Sequence, residues 1–162
     1  MTRRTLAFAL LVLLAPVTAN AAGAFQTWGP HVGFSSDPNQ VVFGGHLEMG
    51  NIAPQIDFVP GADVGFGDNV TVISVFGDFR YRIPVAGATW QPYAGAGVAL
   101  HMFSWDSGII GHSSSETLGG GELIVGADVP TKTGNRFFVE GKFGLGDGPT
   151  FKALAGWCFP MR

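Results

Sequence analysis

From about residue 22 onward, apolar side chains in this chain recur at every second position, and clusters of glycine, proline, asparagine and aspartate interrupt them at nearly regular intervals. A period of two is the mark of β-strands with two unlike faces, because successive side chains leave a strand on opposite sides. The pattern predicts eight strands: Thr27–Ser35, Gln40–Gly50, Gln55–Gly67, Val72–Ile83, Trp90–Phe103, Thr117–Val129, Arg136–Gly146 and Thr150–Phe159. One face is free of charge, with Val41, Phe43 and Leu47 on the second strand, Ile73, Val75, Phe79 and Tyr81 on the fourth, and Phe151, Ala153, Ala155 and Trp157 on the last. The other face presents His46 and Glu48, then Asp57 and Asp63, then Asp78, Arg80 and Arg82, then Gln91, Tyr93 and His101. It continues with Glu122 and Asp128, with Arg136, Glu140 and Lys142, and with Lys152, while the first strand contributes His31.

Alternation alone suits a soluble barrel as well as a membrane barrel. Two further features choose between them. The polar face is rich in glycine (Gly29, Gly33, Gly44, Gly97, Gly126 and Gly156 among others), as expected where space is short. The crowded, enclosed face is then the charged one, and the apolar face looks out at lipid. The aromatic residues of the apolar face are also sorted: Trp28, Phe58, Tyr81, Trp90, Phe137, Trp157 and Phe159 fall at the strand ends nearer the termini, and Phe34, Phe43, Phe66, Phe143 and Phe151 at the opposite ends. Alanine, valine and leucine dominate between them. Two aromatic girdles around an aliphatic band match the two interfaces of a bilayer. The expected fold is all-β: an eight-stranded antiparallel up-and-down transmembrane β-barrel with periplasmic termini.

The N-terminal segment fits export. Arg3 and Arg4 precede an apolar run from Leu6 to Val17, and Ala19-Asn20-Ala21 supplies a small-x-small cleavage pattern. Residues 1–21 are therefore expected to be a cleavable signal peptide and 22–162 the barrel domain, since the run is shorter than the roughly 20 residues a spanning helix needs. Without Arg3 and Arg4, seven basic residues face twelve acidic ones, which argues against nucleic acid as a partner. The single cysteine, Cys158, permits no internal disulfide.

Two places strain the pattern. Pro60 sits inside the third strand without a ladder donor, which predicts a bulge or a break, or a turn at Pro60-Gly61. The connections are short except for Ser104–Glu116, which on this topology lies outside the cell and is the best candidate for surface contacts.

The chemistry-bearing residues do not assemble into a recognisable site. Asp106, His112 and Ser113-Ser114-Ser115 are the residue types of a hydrolytic triad, but neighbours in one loop rarely reach triad geometry, and no Gly-x-Ser-x-Gly elbow is present. By phase His31, His46 and His101 point inward and could ligate a metal with Glu48 or Asp63, yet they have no local ligand spacing. No enzyme, cofactor or metal is expected. The inward charges have a structural explanation instead, because an eight-stranded barrel is just wide enough to be filled by side chains and buried charges must be paired.

Trp90-Gln91-Pro92-Tyr93-Ala94-Gly95-Ala96-Gly97-Val98, Phe137-Phe138-Val139-Glu140-Gly141-Lys142 and the closing Phe151–Phe159 run resemble the small outer-membrane barrels of the OmpA/OmpX and opacity-like type, across nearly the whole of 22–162. The resemblance implies that the aromatic end of the last strand, Trp157 and Phe159, is read by the barrel-assembly machinery, although Pro160-Met161-Arg162 follow it. Outer-membrane lipid is the other expected partner, with a surface ligand at 104–116. The expected role is non-enzymatic, structural or surface-interacting. A narrow pore for water or small solutes is the alternative, and a soluble ligand-binding barrel a more distant one.

Overall fold

The computed structural model describes residues 25–67, 69–106 and 113–161. The predicted signal peptide and His112 lie outside the described residues. Eight strands follow in order: β1 (Phe25–Ser36), β2 (Gln40–Ala53), β3 (Ile56–Gly67), β4 (Val70–Arg82), β5 (Gln91–Asp106), β6 (Ser113–Pro130), β7 (Arg136–Gly146) and β8 (Phe151–Pro160). Each pairs antiparallel with its neighbour in sequence, and β8 returns to β1 from Thr27↔Pro160 to Ser36↔Phe151, so the sheet closes without an edge. Closure satisfies the backbone ladder all the way round, which is the condition for crossing lipid with strands.

The alternation read from the sequence is the alternation of burial. On β4, Val72, Ser74, Phe76, Asp78 and Arg80 are buried, while Ile73, Val75, Phe79 and Tyr81 between them are exposed. All seven carboxylates assigned to the polar face are buried in the lumen, from Glu48 on β2 to Glu140 on β7. The outer wall is apolar, and its aromatic rings touch between neighbouring strands at the two ends. Trp28–Phe159 and Phe137–Trp157 have ring centroids 5.0 Å apart near the termini, and Phe143–Phe151 meet at 5.1 Å near the opposite rim. Glycine makes room inside: a Cβ on Gly126 would stand 2.5 Å from the Tyr93 hydroxyl. Turns use the residues they require, as where Gly134 takes φ 84° in the β6–β7 connection closed by Thr131 N–H donating to the Asn135 carbonyl at 2.8 Å.

One expectation is refined and one corrected. Pro60 makes no turn, and the break expected there is confined to the ladder with β2. β3 runs through it in unbroken register with β4, where Pro60 faces Gly77. The missing N–H is absorbed toward β2: pairing is interrupted between His46↔Gly61 and Met49↔Phe58 and resumes in the same register. The long connection is also shorter than read, because Ser104–Glu116 is not a loop. β5 runs on to Asp106 and β6 starts at Ser113, with Trp105↔Ser114 and Ser104↔Ser115 still paired. Polar residues hid this, since Ser113–Glu116 carry no apolar alternation from which a strand could be read. The β6–β7 ladder begins only at Gly120↔Gly146, so Ser113–Gly119 of β6 rise above β7, paired to β5 alone.

Candidate functional site

The chemistry-bearing side chains of the described chain converge on the lumen, and the strand phase explains why. Near the termini, Glu48 accepts a hydrogen bond from the Thr27 hydroxyl at 2.6 Å and is paired with Arg136, with Arg82 at 3.7 Å behind it. Arg82 also pairs with Asp57 and, at 2.7 Å, with Asp128, which Arg136 reaches at 3.0 Å. In the middle, Arg80 meets Glu140 at 2.9 Å and lies over the Tyr93 ring, whose hydroxyl donates to Glu140 at 2.9 Å. Lys142 bridges Asp78 at 2.8 Å and Glu122 at 3.1 Å, with its ammonium 3.5 Å from the Phe76 ring centroid. Toward the opposite rim Lys152 joins Glu122 at 3.7 Å to Asp63 at 3.1 Å, and Asp63 holds the His31 ring at 2.6 Å. Arg80, 4.0 Å from Glu48 and 3.6 Å from Asp78, ties the lower groups to the upper ones. One connected network therefore draws a side chain from every strand.

Most of these pairs cross the lumen. Asp57–Arg82, Glu122–Lys142 and Asp128–Arg136 pair between neighbouring strands. Asp78–Lys142 and Arg80–Glu140 join β4 to β7, Asp63–Lys152 joins β3 to β8, and Glu48–Arg136 joins β2 to β7. Long side chains in a narrow barrel reach the far wall as readily as the adjacent strand. Buried pairs of this kind cost desolvation, and their value lies in leaving no partner unmatched.

The three described histidines go to different places. His31 is bound to Asp63, and His101 accepts or donates at Nδ1 to the Ser74 hydroxyl at 2.8 Å. Ser74 and His101 have nucleophile–base spacing, and both are buried in the lumen wall. His46 instead lies 3.5 Å from the Cys158 thiol, and with Glu48 these residues place three donor atoms within 4.8 Å of one another. Sequence reading had grouped His46 with Glu48 and overlooked Cys158, which lies on β8 across the barrel seam. Near the far rim Phe103 and Trp105 stack at 5.5 Å, while Ser35 and Gln40 are buried at the same end. The triad-like residues Asp106, Ser113 and Ser114 lie on the strands of the projecting hairpin.

No protein-family model matches the chain, and no curated protein matches it in sequence. Its architecture is similar to solved barrels. The N-terminal β-barrel domain of OprF from Pseudomonas aeruginosa matches with a TM-score of 0.65 at 14% identity, over 85% of this chain and 98% of that one. Neisserial surface protein A matches at 0.59 and 14% identity, over 85% and 95% of the two chains. The outer membrane enzyme PagL matches at 0.51 and 15% identity, over 83% and 99%. With its closed sheet, charged lumen and apolar exterior, the chain has the fold of the small eight-stranded outer-membrane β-barrels.

Proposed function

We propose that the protein is a non-enzymatic outer-membrane barrel with a sealed lumen, acting structurally or through contacts made by the β5–β6 hairpin at the cell surface. The observation that carries this reading is the inversion of polarity: a network of ion pairs and hydrogen bonds that draws on all eight strands bridges the lumen, while valine, leucine and aromatic side chains stand exposed on the outside. In water such an exterior would be an aggregation surface, whereas in lipid it is the expected one. On this reading residues 1–21 are removed on export, the termini face the periplasm, and Trp157 and Phe159 present the aromatic end of β8 to the assembly machinery. PagL is an enzyme, whereas in the present chain each histidine among the described residues, His31, His46 and His101, is buried on the lumen side.

The hairpin is the distinctive surface. Ser115, Glu116 and Thr117 are exposed on β6 above the level at which β7 joins it. Whole cells carrying Ser115→Cys should react with a membrane-impermeant thiol reagent, while the native Cys158, buried in the lumen, stays silent. Labelling of Cys158 alone, or release of the protein from membranes by carbonate, would overturn the proposed topology.

A further inference from the structure

We propose that His46, Glu48 and Cys158 form a zinc-binding site inside the termini half of the barrel. The three are buried, come from β2 and β8, and offer an imidazole nitrogen, a carboxylate oxygen and a sulfur within 4.8 Å of one another. A borderline-soft d¹⁰ ion takes this mixed N/O/S set, whereas calcium and magnesium favour oxygen alone. The spacing suits a shared ion. Tetrahedral zinc with ordinary Zn–S and Zn–N bonds sets sulfur and nitrogen about 3.6 Å apart, and Cys158 Sγ lies 3.5 Å from His46 Nε2. Cys158 Sγ is 4.0 Å from Glu48 Oε1, so the carboxylate needs to close by only a few tenths of an ångström.

The surroundings are built for it. Glu48 divides its two oxygens: Oε2 takes Thr27, Arg136 and Arg82, while Oε1 meets only Arg80 and the thiol, each at 4.0 Å. One oxygen is thus fixed by outer-shell donors and the other is left toward the ion's position beside the thiol and the imidazole, the usual arrangement of an oriented carboxylate ligand. Gly29 on β1, paired with His46, leaves the imidazole its space, since a Cβ there would stand 2.8 Å from His46 Cε1 and 2.9 Å from Nε2. Arg82 and Arg136 keep 23% and 21% of their side-chain surface exposed, so solvent reaches this end of the lumen and water can fill a fourth coordination position.

The experiment titrates Co²⁺, as a spectroscopic stand-in for zinc, into refolded, chelator-stripped protein in detergent. The expected result is saturation at one equivalent, a sulfur-to-cobalt charge-transfer band with four-coordinate d–d bands, and loss of all of them when Zn²⁺ is added. Cys158→Ser should abolish the charge-transfer band, and His46→Ala should weaken binding by about 100-fold or more, comparable to or beyond the loss of a second-shell partner; the heat-dependent gel shift reports whether each variant is folded. Absence of a charge-transfer band in the unmutated protein overturns the proposal without reference to any variant. Persistence of the band in folded Cys158→Ser overturns it equally.

Discussion

The two faces of β4 obey opposite rules. Asp78 and Arg80 on the inner face are each held by named charged partners on other strands, whereas Val75 and Phe79 on the outer face are about half exposed, and Phe79 makes only a ring contact with Phe58. Inside, each residue is specified by the group it must satisfy. Outside, a fluid solvent adapts to shape and asks only for hydrophobicity at the right depth. Substitutions should therefore be judged by identity on one face and by polarity and depth on the other.

The largest effect is expected from Arg80→Ala, which strips buried Glu140 of its cationic partner at 2.9 Å and leaves it the Tyr93 hydroxyl alone. Leaving a desolvated charge unmatched costs roughly 3–5 kcal/mol, read as a lower urea midpoint for unfolding from detergent or lipid. The double variant Arg80→Met with Glu140→Leu removes both charges and should recover most of that loss. A single variant as stable as the parent would break the contrast between the faces.

Next comes depth on the outer face. Val98, 64% exposed, lies on β5 halfway between the girdles. Arginine at a bilayer midplane costs about 2–4 kcal/mol but only about 0–1 near an interface, so Val98→Arg should destabilise far more than Trp157→Arg at the girdle. Equal costs would mean that the outer wall does not face lipid.

How much of this was legible in the sequence follows from the same contrast. A period of two assigns a face, and it placed His46, Asp78, Arg80, Glu140 and Lys152 correctly inside. It carries no record of barrel shear, which decides what stands opposite across the lumen. Hence Arg80–Glu140 and the meeting of His46 with Cys158 were not readable, even though every participant had been placed on the right face. The ends of β5 and β6 were missed for a related reason: Ser113–Glu116 lack the apolar alternation by which lipid-crossing residues advertise a strand. Pro60 was readable as a break in the ladder, but not as a one-sided one, because the sequence does not tell which neighbouring strand loses its pairing.

A smaller effect sharpens the steric half of the comparison. Gly126→Ala pushes a methyl into the Tyr93 ring, whereas Gly45→Ala on the outer wall meets nothing nearer than the Gly29 carbonyl at 3.4 Å. Overpacking costs about 1–3 kcal/mol, so the first should destabilise measurably in the same urea assay and the second should not. Smallest of all is Val75→Leu, an exposed apolar exchange expected to stay within about 0.5 kcal/mol of the parent.

The central claim is that paired charges seal the lumen, and single-channel recording of the refolded protein in a planar bilayer tests it most directly. The unmutated protein should insert without conducting, while Arg80→Ala, with its cross-lumen tie to Glu140 cut, should show leak events. Reproducible, long-lived openings of the unmutated protein would contradict the sealed barrel and make it a pore.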